Sequence, residues 1–278
     1  WHLDGSEYPG WVPTSRGRGF EDSLLMFNRG HWKYVRPQEC GYPGLYADEH
    51  TFGEYFELDK DEYADAVYTT DYLADVTVDF IREHQEEPFL FTCSIPDPHQ
   101  PWCVGPPYDT MFDPDELELP ETFDEDDVAT TFPFTAQRRE RIKKVYSDMI
   151  AEHGEEYVFR RVKAAYLGMV KRIDDNVGRI VDALRETGQL ENTIVVFTSD
   201  HGDYMGSHRL LYKGYMHRAS ESGGVNITPQ YRSENRRPQA RVVKNSVFKH
   251  SWLNQFPILK CRRAVQGSES NSISFLCG

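Results

Sequence analysis

Residues 192–214 read NTIVVFTSDHGDYMGSHRLLYKG. An apolar, β-branched run from Ile194 to Phe197 ends almost at once on Asp200-His201-Gly202, and His208 and Lys213 follow close behind. A short continuous apolar run that stops on a polar loop reads as a strand buried on both faces of a sheet. Just upstream, Ala165, Leu167, Val170, Ile173, Val177, Ile180 and Leu184 recur at helical spacing, which predicts an amphipathic helix over 157–186. Gly188 suits its C-cap.

The same succession occurs once before. Ala66, Thr70, Leu73, Val76 and Phe80 predict a helix over 62–87, closed by Pro88. The run FLFTCSI (89–95) is the second buried strand, and it opens directly onto Pro-Asp-Pro-His-Gln-Pro (96–101). Helix, strand and polar loop, twice over, point to an α/β fold with a mostly parallel sheet flanked by helices. Ligands of such sheets sit at the carboxyl ends of strands, so the loops at 96–99 and 200–202 are expected to converge.

A further helix is expected over 136–154. The Pro-rich acidic stretch 104–135 is expected to cross the surface as a loop, because its carboxylates lack the spacing of an EF-hand. The first sixty residues, rich in Gly, Pro and aromatic residues, read as long structured loops.

A formal net charge of −14 argues against nucleic acid as a partner. No run of 18 or more apolar residues is present, so no membrane-spanning segment is expected. The charge is unevenly spread: residues 219–278 hold nine Lys and Arg against three Asp and Glu, a net of +6, and the remainder carries −20. The five cysteines form no C-x-x-C pair, which removes a zinc knuckle or thioredoxin-like motif. Cys93 reads as a buried thiol; Cys40 and Cys103, in Gly/Pro-rich loops, are candidates to pair if the protein is exported.

Asp200 and His201 offer an oxygen and an imidazole nitrogen to a divalent cation, and Gly202 permits the turn that points both one way. Taken alone, Asp200 could equally cap a helix and His201 be an ordinary loop histidine. His208 and Lys213 add cationic donors of the kind that stabilise an anionic ester as charge builds. His99, between prolines, is a candidate general acid. His2 carries no signal by itself.

Residues 160–214, with Asp174-Asp175, Val177-Gly178, Asn192-Thr193, Asp200-His201-Gly202, Gly206-Ser207-His208 and Lys213-Gly214, resemble the metal-site segment of the sulfatase family, a branch of the alkaline-phosphatase-like superfamily. FLFTCSIPDPHQPW (89–102) resembles that family's strand followed by Pro-His-x-Pro, and WHLDG (1–5) its Trp-His-Leu segment. The resemblance covers roughly residues 1–217. It implies Asp200 and His201 as metal ligands and Lys213 as the cation on the sulfuryl oxygens. It further implies His99 at the leaving oxygen, His2 beside the nucleophile and His208 as a secondary substrate contact. The cation implied is Ca2+, with Mg2+ or Mn2+ as alternatives, and the nucleophile a formylglycine. The substrate implied is a sulfated small molecule or glycan, and the compartment is secreted, periplasmic or lysosomal.

Two family elements, an Asp-Asp pair and C-x-P-S-R or S-x-P-S-R, lie upstream of Trp-His-Leu in the family and do not stand in residues 1–278. The chain taken alone is therefore expected to hold half a metal site and to lack turnover. Residues 1–217 are expected as a sulfatase-like domain fragment, and 218–278 as an unrelated basic tail, irregular or disordered. The alternatives are a phosphonate or phosphodiester hydrolase of the same superfamily and a non-catalytic sulfatase-like binding protein.

Overall fold

The computed structural model describes residues 10–11, 20–21, 25, 27–38, 42–48, 53, 55, 57–58, 61–125, 133–213, 225–227 and 271–277. The early loops give two small antiparallel sheets. One pairs β1 (Gly10–Trp11) with β2 (Phe27–Arg29), and the other sets β3 (Tyr34–Arg36) between β4 (Gly44–Tyr46) and β5 (Val67–Tyr68).

Helix α1 runs from Thr69 to Glu83. It begins later than the 62–87 expected, because Val67 and Tyr68 are drawn into the sheet against Val35 and Tyr34. It ends before Pro88 because His84 leaves helical geometry, its ring stacked on Phe80 at 4.1 Å. Strand β6 (Leu90–Ile95) follows. The acidic excursion makes three short 3-10 turns between Tyr108 and Asp124 and buries Phe123. The helix expected over 136–154 is two helices, α2 (Pro133–Val145) and α3 (Ser147–His153), broken where Tyr146 departs from helical φ/ψ with its ring in the core.

Helix α4 (Glu155–Glu186) has 32 residues, about 48 Å at 1.5 Å per residue. It carries both hydrophobic cores. Val158, Phe159, Val162, Ala165 and Met169 pack with Tyr34, Tyr68, Trp102, Phe123 and Leu211. From about one turn past Met169, Ile173, Ile180, Ala183 and Leu184 pack with Leu73, Val78, Ile81, Cys93, Ile95 and Val195. Strand β7 (Thr193–Ser199) returns beneath it.

The main sheet has the order β6, β9 (Asn271–Cys277), β7, β8 (Val225–Ile227). Strand β9 is parallel to β6 and β7, and β8 is antiparallel to β7, so the sheet is mostly parallel as the alternation required. β6 and β7 are not neighbours. β9 separates them, with Cys277 in register with Ile95 on one side and Ser199 on the other. Both β8 and β9 lie beyond residue 217, in the stretch expected as irregular tail. β6 and β7 are also less deeply buried than their apolar composition suggests; Leu90 is exposed, and Cys93, Ile95, Thr193 and Val195 supply the buried positions.

Cys93 and Cys103 are both buried free thiols; Cys40, the partner considered for Cys103, lies outside the described residues. Burial pushes the Cys93 thiol up to about 11. No described helix is long and apolar enough to cross a membrane.

α4 contains a natural test of its packing. A Cβ at Gly168 would come within 2.6 Å of the Tyr108 carbonyl oxygen, whereas at Gly178 it would meet nothing within 4 Å. Gly168→Ala should therefore destabilise the protein by about 1–3 kcal/mol. Gly178→Ala should stabilise it by up to about 1 kcal/mol. Urea unfolding of both variants reads the difference, and equal effects would show that the Tyr108 contact does not constrain the helix.

Candidate functional site

A cavity of about 260 Å³ opens at the carboxyl ends of β6 and β7. The loop after β6 contributes Pro98, His99 and Gln100. The last residue of β7, Ser199, and the loop after it, with His201, Gly202, Asp203, Tyr212 and Lys213, contribute the rest of that side. Arg138 and Arg141 of α2 and Tyr166 of α4 complete the lining.

The β6 loop is held by a buried ion pair that sequence reasoning missed. Lys33, one residue before β3, and Asp97 are each 1% exposed. The Lys33 ammonium donates to Asp97 Oδ1 at 2.5 Å and to the His99 carbonyl at 2.7 Å. Thr70 at the start of α1 donates its hydroxyl to Asp97 Oδ2 at 2.7 Å. Both carboxylate oxygens are thus satisfied, as a charge removed from water requires. Because Lys33 grips the backbone of His99 itself, the pair fixes where that imidazole sits.

His99 Nδ1 lies 2.9 Å from the Gln100 carbonyl. A carbonyl only accepts, so Nδ1 carries the hydrogen and Nε2 presents a lone pair. Burial pushes the imidazole down to about 3, with the Lys213, Lys33 and His201 charges acting the same way. His31 stacks on it with ring centroids 3.5 Å apart. In this state Nε2 accepts. It donates to a leaving oxygen only when the ring is protonated, a form that an anion bound beside it favours.

In the β7 loop, His201 Nδ1 is 2.9 Å from the Gly202 carbonyl, which again leaves Nε2 as an acceptor. That atom is buried without a hydrogen-bond partner and lies 3.4 Å from Asp200 Oδ2. Two acceptors that meet without a hydrogen between them are resolved by a cation, whether a proton or a metal. Asp200 caps no helix; its Oδ1 accepts the His201 amide at 2.8 Å, and no helical turn begins before Ser207. The donor set fits two positions of a divalent cation's shell, short of the six or more that hard cations take. Among the described residues no group of three or more His, Cys, Asp and Glu side chains is poised for a metal.

Among the described residues, Asp203 is the one carboxylate lining the cavity. Burial pushes it up to about 6, although the Met205 amide donates to it at 3.0 Å and His201 and Lys213 lie near. Lys213 reaches the cavity because its loop is tied down from several sides. The Tyr204 amide donates to the Tyr212 carbonyl and the Gly206 amide to the Leu210 carbonyl, each at 2.9 Å. Leu210 and Leu211 are buried beneath. From α2, Arg138 Nη1 donates to the Lys213 carbonyl at 2.6 Å and Arg139 Nε to the His208 carbonyl at 2.8 Å.

The structure therefore brings His99, His201 and Lys213 to one cavity, with Asp200 against His201. His208 does not line it: its Nδ1 is 3.5 Å from Glu125 Oε2, with a left-handed φ of 56°. His2 lies outside the described residues. Lys33, Asp97, Arg138, Arg141 and Asp203 were not singled out from the sequence. Asp97 and Asp203 stand inside the quoted motifs, so adjacency was a usable signal for them. The others had none within reach along the chain.

The sulfatase family model matches residues 3–232. A multifunctional alkaline phosphatase superfamily protein of Trinickia caryophylli is 29% identical over 167 residues, which are 55% of this chain and 30% of that protein. An arylsulfatase of Clostridium perfringens is 32% identical over 161 residues, 57% of this chain and 31% of its own length. Among solved structures, a phosphonate monoester hydrolase of Agrobacterium radiobacter is 28% identical with a TM-score of 0.48, covering 58% of this chain and 34% of that one. The chain spans about a third of the length of these relatives.

Asp97→Asn leaves a buried ammonium without its counter-charge and should cost about 3–5 kcal/mol. Thermal unfolding checks this. A loss below 1 kcal/mol would show that the pair does not hold the β6 loop.

Proposed function

This chain belongs to the sulfatase family, and we propose on that basis that its cavity is the anion-handling part of a sulfuric ester hydrolase. The observation that carries the reading is the convergence of His99, His201 and Lys213 from the ends of two parallel strands into one cavity. Sulfatases are metal-dependent hydrolases, and in this reading Asp200 and His201 hold two positions of the cation, with Ca2+ proposed and Mg2+ or Mn2+ as alternatives. The cation supplies charge that polarises the sulfuryl oxygens when bound.

The chain's own residues do the rest. Lys213 sets its ammonium against the sulfuryl oxygens and offsets the charge that grows on them. His99 stands at the ester oxygen and, once protonated beside the anion, hands its proton to the departing alcohol. The balance is that of hydrolysis: the sulfur–oxygen ester bond breaks, an oxygen from water joins sulfur, and alcohol and hydrogen sulfate leave. The proposed nucleophile is a formylglycine. No C-x-P-S-R or S-x-P-S-R segment stands in residues 1–278, so this reading takes it from a further segment of the same protein. The substrate proposed is a sulfated small molecule or glycan. Residues 1–217 are proposed as the catalytic-domain part; 218–278, read from sequence as an unrelated basic tail, overlap the family match up to residue 232 and include β8 and β9 of the main sheet.

Two measurements test the reading. Calorimetry of this chain with inorganic sulfate and CaCl2 should show binding that weakens about tenfold or more in Lys213→Ala, as expected for one charge-assisted contact. EDTA should weaken it further. The full-length protein carrying these residues should release 4-nitrophenol from 4-nitrophenyl sulfate faster than from 4-nitrophenyl phenylphosphonate. The reverse preference moves the site to phosphonate esters; binding without turnover of either leaves a non-catalytic binding protein.

A further inference from the structure

Tyr212, the residue immediately before Lys213, has a backbone φ of 72°. In that left-handed region the Cβ of an L-residue crowds the backbone, and a bulky side chain there is an outlier. Such a conformation persists where the surroundings impose it. The Tyr212 ring stacks on Trp102, with centroids 5.1 Å apart and planes 26° from parallel. Trp102 is fully buried, so the surface under the Tyr212 ring is fixed. The Tyr212 carbonyl accepts the Tyr204 amide at 2.9 Å.

The stack joins the two loops that build the cavity. Trp102 lies three residues beyond His99 in the loop leaving β6, and Tyr212 precedes Lys213 in the loop leaving β7. Sheet and helix packing bring these loops together; the stack sets the angle at which the backbone leaves Tyr212, and so the point from which the Lys213 side chain starts. That point matters because a lysine stem is a flexible four-carbon chain, which imposes no direction of its own on the ammonium. The Tyr212 ring also lines the cavity. Its face carries the negative part of the ring quadrupole and is no direct partner for an anion. Its hydroxyl is buried and has no hydrogen-bond partner among the described residues, so the ring face and not the hydroxyl holds the side chain in place.

We propose that Tyr212 is a positioning residue for Lys213: its ring, seated on Trp102, holds the left-handed turn from which the Lys213 ammonium reaches the bound anion. This rests on the reading of Lys213 as the cation that meets the sulfuryl oxygens. It goes beyond that reading by assigning a residue that acts on the anion only through Lys213.

Calorimetry of this chain with inorganic sulfate and CaCl2 at low ionic strength tests the proposal. Tyr212→Phe keeps the ring and should bind sulfate within about twofold of the wild type. Tyr212→Leu keeps an apolar side chain but loses the flat face, and should bind about tenfold more weakly. In a Lys213→Ala background the same Tyr212→Leu change should cost less than about twofold, because the group it positions is gone. Circular dichroism at the assay temperature checks that each variant is folded, and Tyr212→Met gives the same readout should the leucine variant not fold. Wild-type affinity in Tyr212→Leu, or a loss of equal size with and without Lys213, overturns the proposal. Tyr212→Phe as weak as Tyr212→Leu overturns it too, since the hydroxyl would then be the contact. Absence of sulfate binding by the wild type, or undiminished binding by Lys213→Ala, overturns instead the reading of Lys213 on which the proposal rests.

Discussion

The Lys33–Asp97 pair is the constraint on which the rest of the site depends. It lies fully inside the protein, where an unmatched charge would be costly, and its partners come from three elements. Lys33 belongs to the approach to β3, Thr70 to the first turn of α1, and Asp97 to the loop leaving β6. The Lys33 carbonyl also accepts the Thr69 amide at 2.8 Å, so the start of α1 is bonded to the same residue twice over, through backbone and through Asp97. The Lys33 ammonium further reaches Met169 Sδ at 3.4 Å, bringing α4 into the same junction. One ammonium therefore sets the relation between the small antiparallel sheet, two helices and the histidine at the end of β6.

The long helix α4 extends that junction across the molecule. Asp71 on α1 accepts from Arg172 Nε at 3.0 Å and from Asn176 Nδ2 at 2.7 Å, while Arg179 pairs with Asp75 one turn on. The Arg172 guanidinium lies over the Tyr68 ring at 4.0 Å. These contacts fix the register of α1 against α4, and so the position of β6 beside the core that α4 shares with β7. Loops leaving β6 and β7 then open on one cavity. Their meeting is a consequence of sheet and helix packing and needs no contact between the loops themselves.

What the sequence revealed, and what it hid, follows from range. Both strands, the helices beside them and the two catalytic-type loops were legible because their signals are local: an apolar run, a 3.6-residue period, a histidine within a few residues of a strand end. His99, His201 and Lys213 could be placed for that reason. Lys33 could not, because its partner Asp97 is 64 residues away and most lysines lie in water. Arg138 and Arg141 read as ordinary charges on a weakly patterned helix until α2 is folded against the Lys213 loop. Strand order was equally hidden. β9 lies in a Ser-rich stretch without strong apolar periodicity, yet it pairs with β6 and β7 along its length. His208, for which the motif implied a substrate contact, sits with its Nδ1 3.5 Å from Glu125 Oε2.

The most direct measurement of the central claim, that the ends of β6 and β7 form one anion site around Lys213 and His201, is a crystal of this chain soaked in selenate, with the selenium anomalous signal as the readout. The account predicts a peak within hydrogen-bond reach of Lys213 Nζ, in the cavity between the His201 and His99 rings and the α2 arginines. A well-ordered lattice with that cavity free of selenium, or with selenium bound only elsewhere on the surface, would contradict it.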